Sequence, residues 1–270
     1  MATMSVPAAH PDVLLGTPRA HALDRWIFVV MAVWFIVLAL TGFIPDSLMK
    51  IEMVRAGMRP PFPLVLHMHA VLMGSFLLFL LSQTWLVATG RCALHRRVGP
   101  IGGLLAAALV IVGFILAPTM YHQVHGGLSS APPAAQGAIR GLLSQLDNIL
   151  LLQIQAGTLF ALFIALALLH RSRDSGFHKR LMIFAPAMAL GAAFARMPWL
   201  PHTIPATPLS ILGYQWLALA PLLIWDVVRN RRLHRAYLVL LACYLPFNLL
   251  VILLWDSPWW HATAQRIMGV

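Results

Sequence analysis

Four closely spaced imidazoles are the residues of this sequence best suited to chemistry. His67 and His69 are two positions apart, His122 and His125 are three apart, and His202 follows further along. Imidazole ligates copper, zinc and haem iron alike, so a cluster drawn from these residues would make a metal or haem b site. Residues two apart on a helix point about 200° apart, so at most one of His67 and His69 can face a common partner. His122 and His125 share a face if a helix continues through them. Arg196 adds a cation that would hold an anionic group such as a propionate, or would pair with Asp147. Gln153, Gln155, Tyr214 and Gln215 add neutral hydrogen-bonding groups, suited either to lining a pocket or to tying one helix to another. No HExxH or CxxC pattern fixes a geometry, and no nucleophile elbow or glycine-rich phosphate loop is present.

What positions these residues follows from the composition. The chain has 270 residues, 60% of them apolar and only 10% charged, with a positive mean hydropathy. A soluble domain carries roughly 25% charged residues, so this chain lacks the polar surface to face water. Its apolar residues fall in seven runs: 25–44, 63–88, 98–118, 148–169, 178–197, 208–225 and 235–255. Each is about the length that crosses a hydrocarbon core of ~30 Å. The expected fold is an all-α membrane bundle of seven transmembrane helices over 25–255, a lead helix followed by three hairpins, with tails at 1–24 and 256–270. The fifth and sixth runs are the least clean, because Arg196 and Pro201, Pro205 and Pro208 crowd their junction. The start of the chain has no short apolar run with a small-residue cleavage site, so no signal peptide is expected. Cys92 and Cys243 fall far apart and indicate neither a disulfide nor a redox pair.

The formal charge of +11 would point to nucleic acid in a soluble protein, but its distribution is a topology signal. Of 19 Lys and Arg, two lie in 1–25, three in 89–97, and four in each of 170–180 and 226–235. Those thirteen are expected in the cytoplasm and the remaining six outside, which places the amino terminus in and the carboxyl terminus out. Anionic lipid headgroups, and not nucleic acid, are the natural partners of this charge. Three of the basic stretches share a phrase before the next helix: Leu94-His95-Arg96-Arg97, Phe177-His178-Lys179-Arg180 and Leu233-His234-Arg235.

At 1.5 Å per residue, His69 lies about 9 Å below the outer surface, with Gln153, Gln155, Tyr214 and Gln215 at about 8–11 Å. Asn248 and Thr41 reach a similar level. The polar residues thus form one layer in the outer half, as expected of a pocket that opens outward or of a set of interhelical ties. Gln83 and Asp226 are the exceptions, near the cytoplasmic edge. There His95, His170, His178 and His234 form a second layer, each beside Lys or Arg. Adjacent cations favour neutral imidazoles, able to ligate, to cap helices or to meet headgroups. No Asp or Glu lies mid-run, which argues against an ion-coupled transporter, and the seventh run has no lysine to hold retinal.

The run His67-Met68-His69-Ala70, then Gln83, then Leu94-His95-Arg96-Arg97-Val98-Gly99, resembles a group of bacterial polytopic membrane proteins. That group carries a His-x-His-Gly opening, a Gln near the end of the same helix and a His-Arg-Arg-Leu-Gly turn. Phe177-His178-Lys179-Arg180-Leu181-Met182 and Arg196 resemble its second signature. Ala70 and Val98 stand where the group has Gly and Leu. The group is loosely similar to cytochrome-oxidase maturation proteins and to b561-like proteins, a resemblance that implies haem or redox business.

Three functions fit these residues. One is a haem- or metal-handling redox or respiratory assembly protein, with His67 or His69 and His122 or His125 as ligands and Arg196 as anion partner. A second is a quinone or lipid carrier using the same pocket without metal. The third is an accessory subunit of a larger membrane complex, docking through Trp199, Trp259 and Trp260.

Overall fold

The computed structural model describes residues 22–231 and 233–270, and every regular element among them is helical. A 3₁₀ turn (Ala22–Arg25) leads into α1 (Trp26–Arg55). Then come α2 (Leu64–Ala88), α3 (Cys92–Ser130), α4 (Pro133–His170), α5 (Ser175–Ala189), α6 (Gly191–Phe194), α7 (Leu209–Asn230), α8 (Arg235–Leu254) and α9 (Pro258–Met268). Among the described residues six helices are long and apolar enough to cross a membrane: α1, α2, α3, α4, α7 and α8.

The expected fifth span is α5 and α6, separated by a turn at Leu190. It lacks the long apolar window because it is the axis of the bundle. α1, α4, α7 and α8 all pack on α5, so almost none of its side chains faces lipid. Leu181, Ile183, Phe184, Ala185, Ala187 and Met188 are buried around its circumference. A helix shielded in this way tolerates Arg180 and needs small residues more than greasy ones. Close approaches confirm this. A methyl group on Gly42 of α1 would collide with the Ala193 main chain of α6. One on Gly191 would lie 2.8 Å from Ile211 and 3.1 Å from the Gln215 amide of α7.

α3 and α4 differ most from expectation. Their 39 and 38 residues make rods of about 57 Å, nearly twice a hydrocarbon core. Residues 119–130 and 133–147 fold as the ends of α3 and α4 and not as a loop, and Pro118 is accommodated within the α3 helix. Only Ala131 and Pro132 join the two rods. The expected C-terminal tail contains α9, whose Trp260, Ala264 and Met268 bury against Tyr121, Leu143 and Leu150 of those rods.

Contacts define two ends. At one, here called the basic end, Arg229 bonds Asp24 at 2.9 Å, Arg235 bonds Asp174 at 2.5 Å, and Arg25 reaches the Val87 carbonyl at 3.4 Å. At the other, the tip end, lie the α3–α4 connection, the loop after α6, and α9, where Trp255 bonds the Pro205 carbonyl at 2.8 Å.

Candidate functional site

The tip-end polar layer exists, but its members bond to one another. Gln155 of α4, 1% exposed, donates to Asn248 of α8 at 2.5 Å. Gln215 of α7 donates to the Met188 carbonyl of α5 at 2.6 Å and accepts from Tyr244 of α8. Tyr214 donates to the Pro201 carbonyl at 2.5 Å, and Gln153 is exposed. These groups tie α4, α5, α7 and α8 together.

The histidines do not converge. His69 faces inward: a methyl group on Gly113 of α3 would lie 3.7 Å from its ring, and its Nδ1 has no partner among the described residues. His67 points outward and is exposed, edge-on to Phe62 at 6.1 Å between ring centres. The helix does continue through His122 and His125, but His122 is exposed beside Tyr121. His202 lies on the Met197 carbonyl at 3.0 Å. Among the described residues no three His, Cys, Asp or Glu side chains form a group able to hold a metal.

Arg196 and Asp147 do not pair either. Arg196 bonds Asp46 at 3.1 Å and the Ala192 carbonyl at 2.6 Å, and lies 4.7 Å over the Phe43 ring. Lys50 shares Asp46 at 2.7 Å. Asp147, 1% exposed, accepts from Tyr121 at 2.9 Å and contacts His261 of α9 at 2.9 Å, while its carbonyl accepts from Trp260 at 2.7 Å. The other His261 nitrogen is 3.0 Å from Asp256, which Asn148 also engages. Burial works to lower the His261 pKa, but hydrogen bonds to Asp147 and Asp256 outweigh it and hold the imidazole above its ordinary value. The His261 and Asn148 hydrogen bonds in turn hold the Asp256 carboxyl below the usual range. His261 therefore clamps α9 to α4 by bonding the Asp147 carboxylate with one ring nitrogen and Asp256 with the other.

The basic end holds two further clusters. In one, Arg180 of α5 and Asp226 of α7, each 2% exposed, form a two-pronged ion pair at 2.7 and 2.5 Å. Tyr237 of α8 donates to the same carboxylate at 2.8 Å. In the sequence Arg180 is a turn charge, and the only trace of this pair is Asp226 at the end of an apolar run. His234 caps α8 by accepting the Ala236 N–H at 3.1 Å. Burial, with Arg180 adding to it, pushes its pKa down to about 4, so it stays neutral and free to accept.

The second cluster joins α2, α3 and α5. Gln83, 8% exposed, has no partner among the described residues for either its amide nitrogen or its amide oxygen. The Nδ1 atom of His95 on α3 is likewise buried and has no partner among the described residues. The His178 ring of α5 lies edge-on to His95 at 6.5 Å, its own Nδ1 fixed on the Ala167 carbonyl at 2.8 Å. His170 uses Nδ1 on its own helix at 2.9 Å. Of the inner layer, then, Gln83 and His95 alone keep unused hydrogen-bonding atoms in the buried interior. Buried polar groups in folded chains are nearly always bonded, so each exception calls for an explanation; His69 Nδ1, Gln155 Oε1 and Trp225 Nε1 are the others among the described residues. No family model matches the chain, and no curated protein or solved structure matches it.

Proposed function

We propose that this chain is a seven-crossing protein of the bacterial inner membrane that binds a small membrane-dissolved ligand, a quinone or a lipid, among its helices at the basic end. α5 and α6 together serve as the fifth crossing: the 20 residues from Ser175 to Phe194 rise about 30 Å. The stretches 89–97, 170–180 and 226–235 hold eleven of the 19 Lys and Arg and face the cytoplasm, so the α3–α4 tip and α9 lie outside. The observation that carries the ligand is the buried Gln83 carboxamide, both of whose polar atoms have no partner among the described residues. Each such atom costs about 1–3 kcal/mol, and a bound molecule able to bond them offsets that cost. The resemblance to oxidase-maturation and b561-like proteins favours a redox-active molecule over a structural lipid.

Extraction of the protein from its native membrane in mild detergent, followed by mass spectrometry of its organic-soluble content, tests the function. A near-stoichiometric quinone or lipid is expected; a protein that carries neither loses this function. Alkaline phosphatase fused after residue 131 is expected active, and fused after residue 172 inactive, which tests the orientation.

A further inference from the structure

Three charged side chains meet where α1 and α6 come together at the tip end. The Lys50 ammonium lies 2.7 Å from Oδ2 of Asp46, one turn earlier on α1, and Nε of Arg196, just past α6, reaches the same oxygen at 3.1 Å. Nη1 of Arg196 donates to the Ala192 carbonyl at 2.6 Å, and the guanidinium lies 4.7 Å over the Phe43 ring. Two cations thus share one carboxylate, and the group keeps one positive charge in excess.

The other described carboxylates of this end are engaged elsewhere. Glu52 pairs with Arg55 at 2.6 Å, and Asp147 and Asp256 meet His261 at 2.9 and 3.0 Å. Among the described residues no acceptor bonds Nη2 of Arg196, and the Lys50 ammonium bonds only Asp46, although it carries three N–H groups. Both side chains can be approached, being 32% and 25% exposed for Arg196 and Lys50. Since both cations sit on one oxygen, a single tetrahedral anion spans them.

The position of the group says what supplies that anion. Asp46 follows the first 20 residues of α1, Trp26 to Pro45, which rise about 30 Å, so it stands where hydrocarbon gives way to headgroups. Toward the membrane interior α1 presents Val37, Leu40 and Ile44 outward, an exposed strip at helical spacing that leads to the charges. The anion of the headgroup layer is the lipid phosphate, an acceptor that guanidinium and ammonium groups both bind. One phosphodiester charge cancels the excess. A zwitterionic head brings its own ammonium to a site already positive, so an anionic lipid fits better.

We infer that Lys50 and Arg196 form a binding site for the phosphate of an anionic phospholipid, whose acyl chain lies along the α1 strip. The site shares no residue with the ligand position at the basic end and goes beyond that function. In the orientation proposed above, the lipid belongs to the outer leaflet.

The test uses the full-length protein in phosphatidylcholine nanodiscs containing phosphatidylglycerol with a photoreactive diazirine near its head. Crosslinks are mapped by peptide mass spectrometry, so lipid held at the basic end is counted separately. Saturable labelling within residues 43–50 or 195–199 is expected. Lys50→Gln and Arg196→Gln should each raise the half-saturating lipid fraction about fivefold, the worth of one cation at an anionic lipid surface. Lys50→Gln leaves the Arg196–Asp46 tie in place, so it is read even where Arg196→Gln folds poorly. Asp46→Asn should lower the half-saturating fraction, because it removes the acceptor that competes with the phosphate. A purely structural ion pair predicts weaker or unchanged labelling in Asp46→Asn, and that result overturns the site, as does parental labelling in the Lys50→Gln, Arg196→Gln double variant. Inorganic phosphate that displaces the label as well as unlabelled phosphatidylglycerol would make the ligand a free anion and remove the lipid. Equal displacement by phosphatidylethanolamine would remove the preference for an anionic head.

Discussion

Gln155 at the tip end and Gln83 at the basic end are the same side chain on neighbouring helices, both more than nine-tenths buried, yet they stand in opposite situations. Gln155 is joined to Asn248, and that pair belongs to a band with Gln215 and Tyr244 that laces four helices. Gln83 touches no polar group of the described chain through its amide. The difference teaches that polar residues at membrane depth do not by themselves mark a site. A site shows itself where hydrogen-bonding capacity is left over once the helices have been tied to one another.

The comparison can be broken at several places. The largest effect is expected at the basic end's own tie. Asp226→Ala strands the buried Arg180 guanidinium and leaves Tyr237 without its acceptor, and should cost roughly 3–5 kcal/mol in detergent unfolding. Arg180→Met combined with Asp226→Leu should recover most of that loss. Next, Asn248→Leu leaves Gln155 with neither amide atom bonded, which should cost about 1–3 kcal/mol. Gln83→Leu should instead stabilise by about 1 kcal/mol, so that two swaps of an amide for leucine move the melting temperature in opposite directions. Equal and same-signed shifts would erase the distinction between the two ends.

A smaller, pH-dependent effect is expected at α9. His261 titrates above its ordinary value in the folded chain, so its contribution is complete below about pH 6.5 and fades as pH rises through the folded value. Asp256 titrates below its ordinary value, so its contribution fades only as strong acid is approached. Amide exchange at Ala264–Met268 should therefore be slowest near pH 5–6 and speed up in mild alkali beyond the intrinsic rate change. His261→Asn should flatten that dependence. Smallest of all, His67→Ala and Gln153→Ala should stay within about 0.5 kcal/mol, because both side chains are exposed.

The six helices long and apolar enough to cross a membrane were legible because lipid contact demands apolar residues over a fixed length, and a sequence displays that directly. α5 was harder to read for the opposite reason: surrounded by α1, α4, α7 and α8, it is released from that demand. The i,i+2 geometry of His67 and His69 correctly required that they face opposite ways, though only packing on Gly113 shows that His69 is the inward one. Arg196 was read as a functional cation with Asp147 as a partner, and both chose others. Asp46 is 150 positions from Arg196, and His261 is 114 from Asp147. No local pattern encodes such pairings. Gln83 and His95 were visible as polar residues near the inner edge, but that the Gln83 amide and His95 Nδ1 end without a partner among the described residues depends on how the helices pack.

The long rods α3 and α4 carry a mechanical consequence. Beyond the apolar runs 98–118 and 148–169, residues 119–130 of α3 and 133–147 of α4 extend the pair by roughly 20 Å. Tyr121, Asp147 and α9 brace its foot, and two residues close its top. It is a mast, not a loop. Any large body that settles on that face meets the top of this pair first, while anything thin enough to pass beside it meets the loop after α6 and the single helix α9.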